Sequence, residues 1–446
     1  MSTKPKTESA QRLARGVVSG THQHFSRAVR AGDLLFLAGN GFDGDGVGLP
    51  GAIPAPPYHL SEAARGVYQT RALYDQYRSA LEEFGCTFAD VVQIEQYIPH
   101  KIYGDSYVNT SRGAGYLERM RPTSALLVTG DLAPAGAVIA HSAIVAVPSE
   151  DVQKEIVRAD DEFTKHTVNA DYGDSWAEEP PFHEVVTAGP HLYTVGDMAL
   201  DWDRGEIPAG VKVQPFTYWG SEIRNETEFL LARLREFVSR VGGTLDDITH
   251  VSVYLTEIGD LFEMDRVWHK FFGDNPPART VVPVRAHGSP RHEAPGLTHA
   301  DEAVRLEHIT QGIVPGRGVE REIVETPFQP IGHESVAVRA GEFVWISQQY
   351  ACTDDTNSQV SGSTADQLEV IAERLRTICV AAGTELGQTV RLRAYFADPA
   401  ENTALTALLR RIFPADPPTV LTSGVGGELP IPGATVVVDA IVYAPR

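Results

Sequence analysis

The sequence contains few cysteines, few basic residues and no long apolar run. Its three cysteines, Cys86, Cys352 and Cys379, are spread over 446 residues and match no zinc-ligand spacing. Cys86 and Cys379 fall inside apolar patterns, which predicts buried, reduced thiols and a cytoplasmic location. No apolar run approaches the roughly 20 residues that a membrane-spanning helix needs, so we expect no membrane partner.

The shortage of basic residues excludes another class of partner. Lysine and arginine number 38 against 59 aspartates and glutamates, which gives a formal net charge of −21. Nucleic-acid binding needs a basic surface, so we expect no nucleic-acid partner. Residues 1–24 have no apolar core and are predicted to be a mobile tail rather than a secretory signal. A chain of this length is expected to form about three domains.

The same succession of predicted elements occurs three times along the chain. The segment His24–Asp33 resembles His333–Glu342, and Tyr97, Tyr254 and Tyr395 mark one buried strand in each copy. Each copy reads as β-α-β-α-β-β, which predicts a small α+β sheet with two helices on one face. We place the three domains at 25–148, 181–315 and 331–446, with an acidic linker at 149–180 and a second linker at 316–330.

One proline-led motif differs between the copies. Pro277-Ala278-Arg279 follows a helix and opens a strand, where the first copy has Pro122-Thr123-Ser124 and the third has Pro418-Thr419-Val420. Two prolines end the preceding helix at this point. The guanidinium is a fork of donors that suits a carboxylate, so Arg279 is a candidate carboxylate clamp.

These motifs resemble the Rid (YjgF) family of trimeric enamine/imine deaminases and their relatives. The resemblance implies a chorismate-mutase-like α+β fold, here three copies fused into an intramolecular pseudotrimer with ligand clefts between neighbouring domains. It also implies that Arg279 holds the carboxylate of a small substrate bearing an imine or enamine. Such a chain is expected to be a monomer or a dimer.

The resemblance also implies further site residues. Deaminases of the family have two acidic residues two positions apart on the last strand, and the first handles the attacking water. By sequence we align these positions with three pairs: Ala140 and Ser142, Arg305 and Glu307, and Val437 and Asp439. On this alignment the first acid is lost in all copies. The predicted site has Arg279, Glu307 and Asp265 as catalytic residues and Gly196, Arg305 and Thr194 as substrate-binding residues.

An insertion at 287–302 is peculiar to the second copy. It contains His287, His292 and His299 among carboxylates. Imidazole is the commonest transition-metal ligand, but the spacing matches no known metal motif. We expect a lid over the Arg279 cleft and no cofactor, with a zinc or iron site as the alternative.

The leading functional interpretation is hydrolysis or rearrangement of a small carboxylate with an imine, enamine or similar C–N group. Two alternatives stay open. Ring-opening hydrolases of cyclic amides are also three fused copies of a similar fold, but they need Ser–Lys pairs and this chain has few lysines. The third interpretation is a ligand-binding or scaffold protein that has lost catalysis.

Overall fold

Three mixed β-sheets, each with helices on one face, form the core of the chain. The computed structural model describes residues 11–14, 24–40, 62–158, 182–200, 207–213, 220–287, 304–352 and 360–445. One sheet has seven strands and the other two have six each. The chain therefore has the α+β class that the repeats predicted, with one sheet for each copy.

The strand bounds follow the repeats closely. Those of domain 1 are β1 Gln11–Ala14, β2 Ser26–Ala31, β3 Leu34–Asn40, β4 Val91–Ile98, β5 Thr123–Val128 and β6 Ala140–Ala146. Those of domain 2 are β7 Lys154–Val157, β8 Val185–Ala188, β9 His191–Met198, β10 Ile248–Leu255, β11 Ala278–Pro283, β12 Ala286–His287 and β13 Leu306–Ile313. Those of domain 3 are β14 Arg321–Ile323, β15 Ala337–Ala340, β16 Phe343–Gln349, β17 Thr389–Phe396, β18 Thr419–Gly424 and β19 Val436–Tyr443. The strand orders in the three sheets are β1-β2-β3-β6-β4-β5-β12, β7-β8-β9-β13-β10-β11 and β14-β15-β16-β19-β17-β18.

The helices pack against one face of each sheet. They are α1 Glu62–Glu83, α2 Ile102–Gly113 and α3 Tyr116–Met120 in domain 1, α4 Glu222–Ser239 and α5 Leu261–Phe272 in domain 2, and α6 Thr364–Ala381 and α7 Asn402–Ile412 in domain 3. In each domain a helical crossover joins two parallel strands, β4/β5, β10/β11 and β17/β18. Among the helices of the described ranges, none is long and apolar enough to cross a membrane.

The opposite faces of the sheets pack on one another. A shared apolar cluster includes Phe36, Tyr193 and Trp345, one from each domain. The contacts run in a cycle, with β5 against β9, β11 against β16 and β18 against β3. At the centre the hydroxyl of Tyr97 lies 2.9 Å from that of Tyr254 and 3.0 Å from that of Tyr395. The three equivalent tyrosines therefore meet on a pseudo-threefold axis.

Short edge strands form where the sequence predicted a tail or linkers. β1 pairs with β2, β7 with β8 and β14 with β15, all antiparallel. The segments 11–14, 154–157 and 321–323 are therefore parts of the sheets, which corrects their assignment to a tail and linkers. β12 is unusual because it belongs to domain 2 but pairs with β5 of domain 1.

Candidate functional site

Three equivalent clefts lie where each domain meets the next. The backbone carbonyls of Pro122, Pro277 and Pro418 accept hydrogen bonds from the backbone N–H groups of His183, Ser335 and Ser26, respectively. We call the contact of domains 1 and 2 the first cleft, that of domains 2 and 3 the second, and that of domains 3 and 1 the third. Two residues after each proline stand Ser124, Arg279 and Val420.

Arg279 lies in the second cleft and is fully buried. Its Nη1 donates to Asp265, and its Nε donates to Oε2 of Glu334 at 3.0 Å. The guanidinium carbon stands 5.0 Å from the ring centre of Trp268. Burial would lower the pKa of Arg279, but the two carboxylates raise it above its usual value, so the side chain stays charged. The structure thus brings Arg279 and Asp265 together, but as partners in an internal ion pair.

Glu334 is a residue of this site that the sequence analysis missed. It comes from domain 3 and is 4% exposed. Burial raises its pKa to about 7, in spite of the opposing effect of Arg279. A signal was present, because the repeat alignment sets Glu334 against Phe25 of the first copy. An acid in place of an apolar residue, in the copy that follows the arginine, could have indicated a pair.

Glu307 occupies a different place in the repeat from the one predicted. In the sheets Glu307 lies opposite Tyr254, just as Ala140 lies opposite Tyr97 and Val437 opposite Tyr395. The sequence alignment of this strand was therefore wrong by two residues. Glu307, not Arg305, stands at the first acidic position, and that position is retained in domain 2.

The side chain of Glu307 lies in the first cleft. Its Oε2 lies 3.0 Å from Nδ1 of His287, and both side chains are buried. A Cβ at Gly196 would lie 2.5 Å from Oε1 of Glu307 and 2.8 Å from the carbonyl oxygen of Ser124. Burial raises the pKa of Glu307, and His287 opposes the rise. Nε2 of His287 is buried with no hydrogen-bond partner among the described residues.

Arg279 and Glu307 therefore face different neighbours. β10 lies between their strands, and Arg279 contacts domain 3 whereas Glu307 contacts domain 1. The position that matches Glu307 in domain 3 is Val437, and the position that matches Arg279 in domain 1 is Ser124. The prediction that one cleft contains both residues is wrong. In each domain the arginine position lies at the contact with one neighbouring domain, and the acid position lies at the contact with the other.

Two predicted substrate-binding residues lie outside these clefts. Arg305 pairs with Asp260 at 2.8 Å, and its side chain is 36% exposed. Thr194 lies opposite Thr310 in the sheet, and Thr310 is three positions from Glu307 along β13. Side chains alternate between the faces of a strand, so Thr194 points to the face opposite Glu307. Neither residue is placed to bind a ligand beside Arg279 or Glu307.

The third cleft has neither charged group. Its small cavity of about 20 Å³ is lined by Phe25, Ala140, Val420 and neighbouring residues. A space of this size holds roughly one water molecule. His24 also lines this cavity, with its Nε2 2.6 Å from the backbone carbonyl oxygen of Phe413, and the described part of this cleft lacks both the arginine and the glutamate of the other two clefts.

Only one of the three histidines of the insertion lies among the described residues. His292 and His299 lie outside the described residues, while His287 forms β12 and contacts Glu307. The residues that the structure describes contain no group of three or more side chains suited to a metal ion. The predicted lid, of which residues 288–302 lie outside the described residues, stays a prediction, and a metal stays its untested alternative, which metal analysis of the purified protein would test.

Comparison with known proteins shows several relatives. A RutC family protein of Pyrococcus abyssi is 26% identical over 104 residues, which is 23% of this chain and 73% of that protein. The 2-iminobutanoate/2-iminopropanoate deaminase of Dermatophagoides farinae is 28% identical over 124 residues, 27% of this chain and 95% of that protein. A chorismatase crystal structure covers 80% of this chain and 93% of its own, with a TM-score of 0.45 and 11% identity.

A family model described as endoribonuclease L-PSP matches residues 174–291 and 325–444, which contain most of domains 2 and 3. The matched segments make up more than half of the 446 residues. The chain belongs to this family, that of the YjgF/Rid proteins.

Proposed function

We propose that this chain is a Rid-type hydrolase of a small imine or enamine, and that Glu307 in the first cleft, rather than Arg279, handles the proton. The relative from Dermatophagoides farinae is named as a 2-iminobutanoate/2-iminopropanoate deaminase, which supports this class of substrate. The single observation behind the location is the buried pair of Glu307 and His287, at 3.0 Å, with Nε2 of the imidazole unpartnered among the described residues.

The pair suits the hydrolysis of a C=N bond. Water adds to the carbon, one of its protons passes to a base, and the nitrogen takes a proton before ammonia leaves. A carboxyl group whose pKa is raised by burial can accept the first proton and return it to the nitrogen. His287, with its proton on Nδ1, would orient the carboxylate as a positioning residue.

The first cleft has Ser124 where the second has Arg279. The Ser124 hydroxyl lies 3.3 Å from the side chain of Gln96 and brings no charge. A substrate carboxylate would therefore bind more weakly there than on a guanidinium. We expect a high KM for substrates that depend on that carboxylate.

The test is ammonia release from 2-iminobutanoate generated in the assay. Glu307→Gln should lower kcat by roughly 100- to 10,000-fold. His287→Gln should lower it less and shift the pH profile, because it removes only the partner of the base. Glu226→Gln is the matched control, since Glu226 is also a buried glutamate of domain 2 but binds the backbone N–H groups of Arg305 and Leu306. Full activity in Glu307→Gln would contradict the proposal.

The separation of Arg279 from Glu307 favours one other candidate, a ligand-binding or structural protein without catalysis. Wild-type protein that releases ammonia no faster than buffer would support that candidate. The cyclic-amide alternative needs a Ser–Lys pair, and the half-buried Lys154 instead donates to the backbone carbonyls of Val91 and Met120.

A further inference from the structure

The contact of domains 1 and 2 has a histidine where the other two contacts have a serine. Ser26 and Ser335 each donate from the hydroxyl to the backbone carbonyl of the residue before the motif proline, at 2.5 Å and 2.6 Å. His183 takes their place, with its backbone N–H on the carbonyl of Pro122. Its side chain is 3% exposed, and its Nε2 has no hydrogen-bond partner among the described residues. A buried imidazole nitrogen in this state indicates a partner from outside the chain.

The residue before the motif proline differs at the same contact. It is Arg121, where the other two copies have Pro276 and Pro417. The φ angle of Arg121 is 45°, the left-handed region that side chains other than glycine rarely adopt and that no proline can adopt. The turn before β5 therefore takes its own course in domain 1 and brings a half-buried arginine to His183.

Lys154 on β7 joins the same turn. Its Nζ donates to the backbone carbonyl of Val91 at 2.6 Å and to that of Met120, which directly precedes Arg121. An ammonium group has three hydrogens to donate, so these two carbonyls leave one of them for a further acceptor.

Arg158 approaches from the end of β7. It directly follows this strand, whose last residue pairs with Val185, two residues beyond His183. Burial lowers the pKa of His183 to about 4, with added effects of Lys154, Arg158 and Arg121. The three cations therefore lie near enough to act on the same imidazole.

Two acids stand near these cations. Asp90 acts on Lys154, and its Oδ2 also accepts from the N–H and the hydroxyl of Thr87 at 2.7 Å and 2.9 Å. Glu184 pairs with Arg240 at 2.5 Å. An anion that enters the cluster would therefore meet more positive than negative charge among the described groups.

We infer that Arg121, Lys154, Arg158 and His183 form a binding site for a phosphate group at the contact of domains 1 and 2. A phosphate group has at least three acceptor oxygens, so it can accept hydrogen bonds from several side chains at once. Guanidinium and ammonium groups are the side chains that commonly bind it. The inference does not depend on the reaction proposed for Glu307, because its test measures anion binding and not turnover.

The test is calorimetric titration of the full chain with inorganic phosphate at about pH 6.5, below the pKa of about 7 to which burial lowers Lys154. Phosphate should bind the wild type and raise its Tm more than chloride does at equal ionic strength. Arg121→Gly should weaken phosphate binding roughly tenfold or more, and glycine accepts the φ of 45° without strain. Arg376→Gln is the matched control, because it removes the same charge at an exposed pair with Glu373 and should leave the affinity unchanged.

His183→Ser is the second variant, and it restores the residue of the other two contacts. It should also weaken phosphate binding roughly tenfold. Should it not fold, Arg121→Gly decides. Glycerol 3-phosphate distinguishes the source of the phosphate, since tighter binding than that of inorganic phosphate indicates an ester and weaker binding indicates the free ion. Equal effects of phosphate and chloride on the wild type, wild-type affinity in either folded variant, or an equal loss in Arg376→Gln would each overturn the inference.

Discussion

Glu95 of domain 1 accepts a hydrogen bond from Arg393 of domain 3, with 2.7 Å between Oε2 and Nη1, and both side chains are buried on the pseudo-threefold axis. Each stands two residues before an axis tyrosine. The third equivalent residue is Ser252, whose hydroxyl accepts from Arg393 at 2.9 Å. If all three domains had the glutamate, or all three the arginine, three like charges would meet on the axis. A glutamate, a serine and an arginine can occupy these equivalent positions together because the three domains differ in sequence.

We predict that Glu95→Gln destabilises the protein by about 3–5 kcal/mol, because it leaves Arg393 buried with one carboxylate fewer. Burial would raise the pKa of Glu95, but Arg393 and Arg391 lower it, so the carboxylate is ionised in the fold. Urea unfolding measures the change. Glu373→Gln, at an exposed pair with Arg376, is the control and should change little. A loss no larger than that of the control would contradict this prediction.

The same axis predicts the assembly state. Since the three domains of one chain already close on one another, sedimentation should show a single chain of 48.5 kDa or a dimer formed through outer surfaces. A particle of three chains, with nine domains, would show that the domains pair between chains instead.

Gly196→Ala should disturb the first cleft specifically. The added Cβ would lie 2.5 Å from Oε1 of Glu307 and 2.7 Å from Cβ of Ala125, so the two domains must move apart. We expect a loss of roughly 1–3 kcal/mol in unfolding free energy and lower activity. Gly259→Ala is the control, because nothing lies within 4 Å of its added Cβ. Equal stability of both variants would mean that the interface tolerates the methyl group.

Ser124→Arg should unite a clamp and an acid in one cleft, because the backbone carbonyl oxygen of Ser124 and Oε1 of Glu307 lie 2.8 Å and 2.5 Å from where a Cβ at Gly196 would be. We expect KM for an imine that has a carboxylate to fall roughly tenfold in the folded variant, as a charged fork replaces a hydroxyl. Val420→Arg is the control, since Ala140 stands at the acid position of the third cleft. An unchanged KM in folded Ser124→Arg would count against catalysis in the first cleft.

His141 predicts a specific sensitivity to acid. Burial lowers its pKa to about 3, and its ring nitrogens lie 3.0 Å from the Tyr77 hydroxyl and 3.3 Å from the Tyr107 hydroxyl. Between pH 6.5 and 3 the unfolded chain binds a proton that the folded chain does not, so stability falls as pH falls through this window. At pH 5 the loss from this group is about 2 kcal/mol. Urea unfolding of His141→Gln should show a smaller difference between pH 7 and pH 5.

The repeats made the fold predictable, since strong buried strands and aromatic helix faces recur at equal spacing. The edge strands β1, β7 and β14 were missed because they are short and largely polar, and they form by pairing with a neighbour rather than by their own pattern. The axis tyrosines were predicted to lie in a buried strand of each copy. Their mutual hydrogen bonds depend on how the domains meet, which no single repeat contains.

The site was predictable only in part. A shift of two residues along a strand keeps every side chain on the same face, so the alternation of β13 fitted Arg305 and Glu307 equally well at the first acidic position. The partner strand, in which Tyr254 lies opposite Glu307, decides between them. The occupation of Arg279 by Glu334 depends on contact between residues 55 positions apart in different domains.

The crossing of β12 into the sheet of domain 1 limits how the chain can be divided. Ala286 and His287 pair with Val128 and Leu127, so a domain 1 cut free from the rest would lose the cover of its β5 edge. Unpaired edges invite strand addition between molecules. The isolated domain would therefore be prone to aggregate in expression. An isolated domain 2 would lack the strand that fixes His287 beside Glu307, so the smallest useful fragment must retain both domains.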